Sequence, residues 1–148
     1  MEKEQINRYI HEQLPSMAAM GASVESVDET ALILTAPLDK NHNGHGSAFG
    51  ASLYSVAMMS CFAAMYLACR EHFDSPTIMI RDGQMRYRQP CDQPIIRASC
   101  RMPNIRQWEG FFAHYEKAGK TTLSLTSKIL QGDDVCAYFD GLFVLVGE

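Results

Sequence analysis

The sequence predicts an α+β fold in which a largely antiparallel sheet wraps one long helix. The segment from Ala48 to Cys69 carries no charged residue over 22 positions, which favours a helix over about residues 48–72. Six segments with the alternation or composition of strands surround it, two before and four after. Strands grouped in this way, without regular βαβ alternation, are typical of α+β domains. The 148 residues, of which 47% are apolar and 20% charged, suffice for a single domain over residues 1–148.

The part of the chain before the long helix predicts one helix and two strands. Apolar residues at helical spacing favour a helix over residues 2–14, and Pro15 should end it. Strands are predicted over residues 24–27 and 31–38, joined by a turn at residues 28–30.

Four strands and one short helix are predicted after the long helix. The predicted strands cover residues 77–89, 94–102, 121–130 and 135–146. The short helix covers residues 104–117. Gly83 lies inside the first of these strands and the Asp140-Gly141 pair inside the last, so both are expected to mark β-bulges.

The long helix raises the question of a membrane span, because 22 uncharged residues are enough to cross a bilayer. Its serines, its glycine and its many alanines instead favour the buried helix of a soluble domain, with no membrane partner. A stripe of small side chains at helical spacing would let the sheet approach this helix closely. The stripe consists of Ala57, Cys61, Ala64 and Ala68.

Charge and cysteine content argue against several classes of protein. A net charge of −4 argues against nucleic-acid binding. The first ten residues are charged and no apolar h-region follows them, which argues against a secretory signal. The five cysteines are odd in number and lack zinc-site spacing, so we expect buried free thiols and no disulfides. A reducing cytoplasm is therefore the expected location.

The glycine-rich loop over residues 41–47 leads into the N-terminus of the long helix. Unpaired N–H groups at such a terminus carry the positive end of the helix dipole. Gly50 and Ala51 leave this backbone sterically open, so it could bind an anion or an oxyanion that develops on a carbonyl. The alternative is an ordinary loop in which Ser47 is the N-cap.

The polar residues of this loop do not by themselves establish a site. Asparagine is common in turns because its side chain hydrogen-bonds to the nearby backbone, and Asn43 could have this role alone. His42 and His45 are two potential ligands without a nearby carboxylate, so we expect no metal.

Charged residues of the later strands supply further candidates. Asp82 lies inside the third strand, where a carboxylate is either functional or turned to solvent. Arginines on adjacent strands can hold phosphates, or they can belong to a solvated sheet face. Six of the thirteen Lys and Arg residues fall in this region: Arg81, Arg86, Arg88, Arg97, Arg101 and Arg106.

Three segments carry a resemblance to a known family. The first reads Asn41-x-Asn43-x-x-Gly46-Ser47-x-Phe49-Gly50-Ala51-Ser52-Leu53-Tyr54. The second reads Asp82-x-x-Met85-Arg86-Tyr87-x-x-Pro90, and the third reads Cys136-Ala137-x-Phe139-Asp140-Gly141-Leu142-Phe143. Together with the predicted layout they resemble the hotdog fold, in which a curved antiparallel sheet wraps one long helix. Within that superfamily they resemble the branch called putative thioesterases, whose members are sometimes fused to an acetyltransferase domain.

The resemblance implies a thioester-binding site at the start of the long helix. The loop Asn of many hotdog acyl-CoA thioesterases corresponds to Asn43, and their His-Gly-Gly corresponds to Phe49-Gly50-Ala51. One major group of these enzymes carries a catalytic carboxylate nine residues after that His, where this chain has Met58. Asp82 is therefore the expected replacement for the missing acid.

The implied reaction is hydrolysis of an acyl thioester, most directly an acyl-CoA. Asp82 would act as general base on water, Asn43 would orient the water or the carbonyl, and no cofactor is needed. The oxyanion and substrate would be held by Phe49, Gly50, Ala51 and Ser52. The phosphates of CoA would be held by Arg86, Arg88 and Arg97.

The resemblance also implies a homodimer or homotetramer, because related hotdog proteins place the acyl site between two subunits. Four side chains of the long helix would either line an acyl tunnel or belong to the hydrophobic core: Met58, Met59, Phe62 and Met65.

Two alternative functions stay open. A non-catalytic acyl-thioester binding module is favoured by Met58, and a hotdog dehydratase or hydratase would need His42 or His45.

Overall fold

The computed structural model describes residues 2–148, and they form a six-stranded antiparallel sheet around one long helix. The helices are α1 (Lys3–Gln13), α2 (Pro15–Ala19), α3 (Gly50–Arg70) and α4 (Ile105–Ala118), and a short 3-10 turn covers Leu38–Lys40. The strands are β1 (Ser23–Val27), β2 (Ala31–Pro37), β3 (Thr77–Tyr87), β4 (Ile95–Arg101), β5 (Thr121–Gln131) and β6 (Asp134–Gly147). The sheet order is β1-β2-β4-β5-β6-β3, and every pairing is antiparallel. The predicted α+β architecture is confirmed.

The long helix α3 lies in the core of the sheet. Its stripe of small residues, from Ala57 to Ala68, is buried, and it lets β2 and β4 approach the helix backbone. By length and composition α3 could span a membrane, but 72% of its most apolar window is buried inside the protein. This burial is what the core helix of a soluble fold shows. All five cysteines are free and buried, as expected.

Pro15 has a second role that the sequence did not reveal. The first helix ends at Gln13, as the position of Pro15 predicts, but Pro15 is itself the first residue of α2. Proline fits the first helical position because its fixed φ suits the helix and its missing N–H would have no partner there.

The prediction of β-bulges at the glycines is wrong. Gly83 and Gly141 pair directly with each other, and Gly141 also pairs with Leu125 in register. A Cβ at Gly141 would lie 2.7 Å from the ring of Phe139, and a Cβ at Gly83 would collide with the hydroxyl of Tyr54. These glycines therefore make room for aromatic side chains, and the register of β3 shifts between Ile80 and Asp82 instead.

One edge of the sheet is covered by a side chain of α1 and the other is open. At the β1 edge, the Asn7 side chain donates to the carbonyl of Val24 (3.0 Å) and accepts from its N–H (2.7 Å). At the other edge, the 11-residue β3 pairs only with β6 among the strands of residues 2–148. Met79, 57% exposed, and Tyr87, 54% exposed, lie along β3. Charged and polar side chains such as Arg81 and Asp82 alternate with these apolar ones, and the long unpaired backbone edge is a surface that another strand could pair with.

Candidate active site at the start of α3

Asn43 organises the loop before α3 through its side chain. Its Oδ1 accepts from the N–H groups of His45 (2.7 Å) and Ser47 (3.4 Å). Its Nδ2 donates to the Ser47 hydroxyl at 2.7 Å. Both ends of the amide are thus engaged within the loop, so within one chain Asn43 is placed to position the loop.

Asn41 ties the same loop to the core, a role that the sequence reasoning missed. Asn41 is buried, and its Nδ2 donates to the carbonyls of Met20 (2.9 Å) and Pro37 (2.8 Å). Its own carbonyl accepts from the N–H of Phe49 at 2.8 Å. The point at which the chain enters α3 is therefore fixed from inside the protein. The repeated Asn in the first motif was the available signal.

The first turn of α3 has three backbone N–H groups without an acceptor in residues 2–148: those of Gly50, Ala51 and Ser52. Phe49 is the N-cap, in an extended conformation, and it makes no side-chain cap. Ser47, the alternative cap, is hydrogen-bonded to Asn43 instead. Ala51 is exposed and the first turn contains no acidic residue. The positive end of a 21-residue helix is thus open to an anion.

Two tyrosines line the space between this turn and β3. The Tyr87 hydroxyl donates to the carbonyl of Gly50 at 2.8 Å, and partial burial raises the pKa of this phenol. The Tyr54 ring packs edge-on against Phe139, with centroids 5.3 Å apart, and its hydroxyl lies over Gly83. Sequence reasoning assigned no role to either tyrosine, although both fall within the motifs of the resemblance.

Within one chain, the Asp82 side chain does not point toward the first turn of α3. Position 83 faces α3, because a Cβ there would meet Tyr54. Successive side chains of a strand point to opposite faces, so Asp82 points away from α3. The Asp82 side chain is exposed on the outer face of the edge strand.

A family model matches nearly the whole chain. Residues 3–147 match the family model described as "Putative thioesterase (yiiD_Cterm)". The chain belongs to this thioesterase family. The resemblance that the three motifs carry is therefore confirmed.

Solved structures share the fold over nearly the whole chain. A protein of unknown function from Chlorobaculum tepidum is 31% identical, with a TM-score of 0.91, and the match covers 99% of this chain and 94% of that one. A putative thioesterase from Shewanella oneidensis is 23% identical, with a TM-score of 0.83 and coverages of 97% and 96%. A thioesterase from Haemophilus influenzae is 12% identical, with a TM-score of 0.74 and coverages of 99% and 92%. The hotdog fold of this family member is confirmed.

The four residues considered for an acyl tunnel in this thioesterase chain divide into two pairs. Met59 and Met65 are fully buried and belong to the core. Met58 and Phe62 are half-buried, and they follow Ser55 on one face of α3 at spacings of three and four residues. This partly exposed face begins at the open first turn.

The three arginines expected at the CoA phosphates do not form one group. Arg97 on β4 makes an ion pair with Glu25 at 2.8 Å, and hydrogen bonding to this guanidinium lowers the pKa of the Glu25 carboxyl. Arg86 lies on β3, three strand steps away in the sheet order, or about 14 Å. Arg86 and Arg88 lie near one another, beside the ring of Tyr138.

Proposed function

We propose that this protein hydrolyses acyl thioesters, with acyl-CoA as the substrate, and that it acts in the cytoplasm. The observation that supports this proposal is the open first turn of α3, with its three unpaired N–H groups. When water adds to a thioester carbonyl, negative charge develops on the carbonyl oxygen. N–H groups already aimed at that oxygen stabilise the charge without reorganisation.

The first turn of α3 and the loop before it supply the residues of this reaction. The N–H groups of Gly50 and Ala51 hold the oxyanion, and Phe49 and Ser52 flank the carbonyl. Asn43 is a positioning residue, since its side chain fixes the loop. The oxygen of water bonds to the acyl carbon, the C–S bond breaks, and the thiol leaves with a proton. Water is the only co-reactant, so no cofactor is involved.

We further propose that residues 1–148 act as one hotdog domain whose minimal unit is a homodimer. The unpaired β3 edge supports this, because it carries exposed apolar side chains and ends beside the open turn of α3. Pairing of two β3 strands would bury these side chains and cover the partly exposed face of α3. The acyl chain would then lie between the subunits, against Met58 and Phe62.

Asp82→Asn tests whether this carboxylate is the general base. A general base typically contributes about a hundredfold to ten-thousandfold in rate. Because the Asp82 side chain faces away from α3, we expect kcat for acyl-CoA hydrolysis to fall by less than about tenfold, below that range. A fall of a hundredfold or more, with substrate binding unchanged, would contradict this and assign Asp82 as the base.

A non-catalytic acyl-thioester binding module is the second candidate, and two observations favour it. Met58 stands where the resemblance to one major group of hotdog thioesterases implies an acid, and the carboxylate of Asp82 points away from the open turn. A hydratase has less support, because His42 and His45 are both exposed and His42 Nδ1 accepts from the N–H of Gly44 at 3.2 Å.

Release of free thiol from a panel of acyl-CoAs separates these functions. The panel covers short, medium, long and aromatic acyl groups, with purified wild-type protein at micromolar concentration. We expect catalytic release of CoA from at least one member and recovery of the matching carboxylic acid. Binding of acyl-CoA without thiol release from any member would reject hydrolysis in favour of the binding module.

A further inference from the structure

A cavity lies at the far end of α3, away from the open first turn. It has a volume of about 490 Å³ and lies between α1, the end of α3 and the segment just before β3. Exposed side chains form its rim, including the charged residues Arg8, Glu12 and Asp74, and less exposed side chains form its floor. Among the floor residues only Arg70 is charged; the floor consists of Gln5, Tyr9, Tyr66, Arg70 and Pro76.

The Arg70 guanidinium is held in place by neutral oxygens. Its Nη1 donates to the backbone carbonyl of Asp74, and its Nε and Nη2 donate to the side-chain carbonyl of Gln5 at 3.1 Å and 3.0 Å. These contacts use three of the five N–H donors of the group. The one ion pair of residues 2–148 joins Arg97 to Glu25, so no carboxylate lies within 4 Å of Arg70. Arg70 is thus positioned, with donors to spare, for an anion that enters the cavity.

Aromatic side chains connect this cavity to the partly exposed face of α3. The rings of Tyr9 and Tyr66 pack together, with centroids 4.3 Å apart, and both line the cavity. Phe62 stacks on each of them at 6.4 Å. Because Phe62 also belongs to the face that begins at the open turn, an acyl group lying on that face leads to the cavity.

The direction of α3 relative to β3 decides which open turn the cavity serves. Tyr87, at the end of β3, reaches Gly50 at the start of α3. Arg70, at the end of α3, reaches Asp74 just before β3 begins. Antiparallel pairing of two β3 strands about a two-fold axis sets the start of one strand beside the end of the other. In such a dimer the cavity of one subunit adjoins the open turn of the other.

The outward row of side chains on α3 suits the same arrangement. Its members follow one another at spacings of three and four residues: Ala51, Ser55, Met58, Phe62 and Tyr66. When two such rows run in opposite directions about a centre between Met58 and Phe62, Tyr66 of one subunit lies across from Ser55 of the other. Within one chain Arg70 is about 29 Å from Ala51 along the helix. A short acyl group can therefore reach only the cavity of the other subunit.

We propose that Arg70 of one subunit selects, for the open turn of α3 in the other subunit, a short acyl group that ends in a carboxylate. A guanidinium suits this group because its planar donors match the two oxygens of a carboxylate. The hydroxyls of Tyr9 and Tyr66 add neutral donors to the same cavity. The inference rests on the proposed hydrolysis and its dimer, and it names the substrate class as monothioesters of dicarboxylic acids.

Chemical cross-linking tests the arrangement without any activity measurement. Ala51→Cys and Arg70→Cys are combined in one chain and treated with a bismaleimide reagent much shorter than the distance of about 29 Å between them. The five native cysteines are buried and do not compete. We expect a covalent dimer for the double variant and single chains for each single variant. Absence of the covalent dimer, or a covalent dimer in a single variant, would overturn the proposal.

Calorimetric titration with two CoA thioethers measures the selectivity. The ligands carry a hexyl or a 5-carboxypentyl group and contain no thioester, so the measurement does not depend on turnover. We expect wild-type protein to bind the carboxylated ligand at least about tenfold more tightly. Arg70→Gln should abolish this preference and leave binding of the hexyl ligand unchanged. Arg97→Gln is the matched control and should keep the preference, since it removes the same charge from an arginine of β4 that Glu25 holds.

Equal affinity of the wild-type protein for the two ligands would overturn the proposal, as would the same preference in Arg70→Gln. Loss of the preference in Arg97→Gln as well would also overturn it. If Arg70 confers the preference but no acyl-CoA releases thiol, the selectivity stands and hydrolysis fails. If thiol is released but the carboxylated ligand is not preferred, hydrolysis stands and the selectivity fails.

Discussion

Met79→Glu is expected to convert the protein from a dimer into a monomer with little remaining activity. Met79 is 57% exposed on the unpaired edge strand β3, so a charged side chain there should leave the folded monomer intact. In a two-fold dimer the substitution enters the interface twice, once from each subunit. Each carboxylate would lose water without gaining a partner, at a cost of several kcal/mol per buried charge. A cost of about 3 kcal/mol already raises the dissociation constant by about a hundredfold.

Sedimentation at micromolar concentration measures this change directly. Wild-type protein should show at least twice the mass of the 16.6 kDa chain, and Met79→Glu the mass of one chain. Ile105→Glu is the matched control, because Ile105 is 71% exposed on α4, away from β3, and should leave the dimer and its activity unchanged. A wild-type monomer, or a Met79→Glu dimer with full activity, would contradict the shared-site account.

The architecture could be predicted because burial imposes clear patterns on the sequence. The strand β4 alternates buried Ile96, Ala98 and Cys100 with more exposed neighbours, as a strand with one covered face should. The uncharged segment from Ala48 to Cys69 is typical of a buried core helix or a membrane span, and its small residues favoured the core. The glycines were misread because a bulge and a close aromatic contact both require a missing side chain, and the sequence alone does not distinguish them.

The site could be predicted only in part, because its parts depend on contacts between distant residues. The open start of α3 follows from the local loop sequence. The direction of Asp82 depends on a register shift beside Ile80, which no local pattern shows. The ion pair that occupies Arg97 joins residues 72 positions apart, and Tyr87 reaches Gly50 across 37 positions. Such pairings are set by the order of strands in the sheet, which the periodicity of each strand does not give.

Replacement of Gly50 by proline removes one N–H donor from the first turn of α3 with little disturbance to the helix. Proline is favoured at the first helical position, and Phe49 before it is already extended, with ψ of 134°, as a residue before proline must be. The Gly50 N–H has no acceptor in the described chain, so no internal hydrogen bond is lost. Gly50→Ala is the matched control, because it keeps the N–H and its Cβ would lie 3.7 Å from Tyr87, an ordinary contact.

The comparison of kcat between Gly50→Pro and Gly50→Ala tests most directly whether the start of α3 stabilises the oxyanion of thioester hydrolysis. Both variants should keep the helical circular dichroism signal of wild type and bind acyl-CoA. Loss of one oxyanion donor typically lowers kcat by about a hundredfold to a thousandfold. We therefore expect a decrease of that size for Gly50→Pro and a rate close to wild type for Gly50→Ala. Equal rates for the two folded variants would show that the reaction does not use this N–H group.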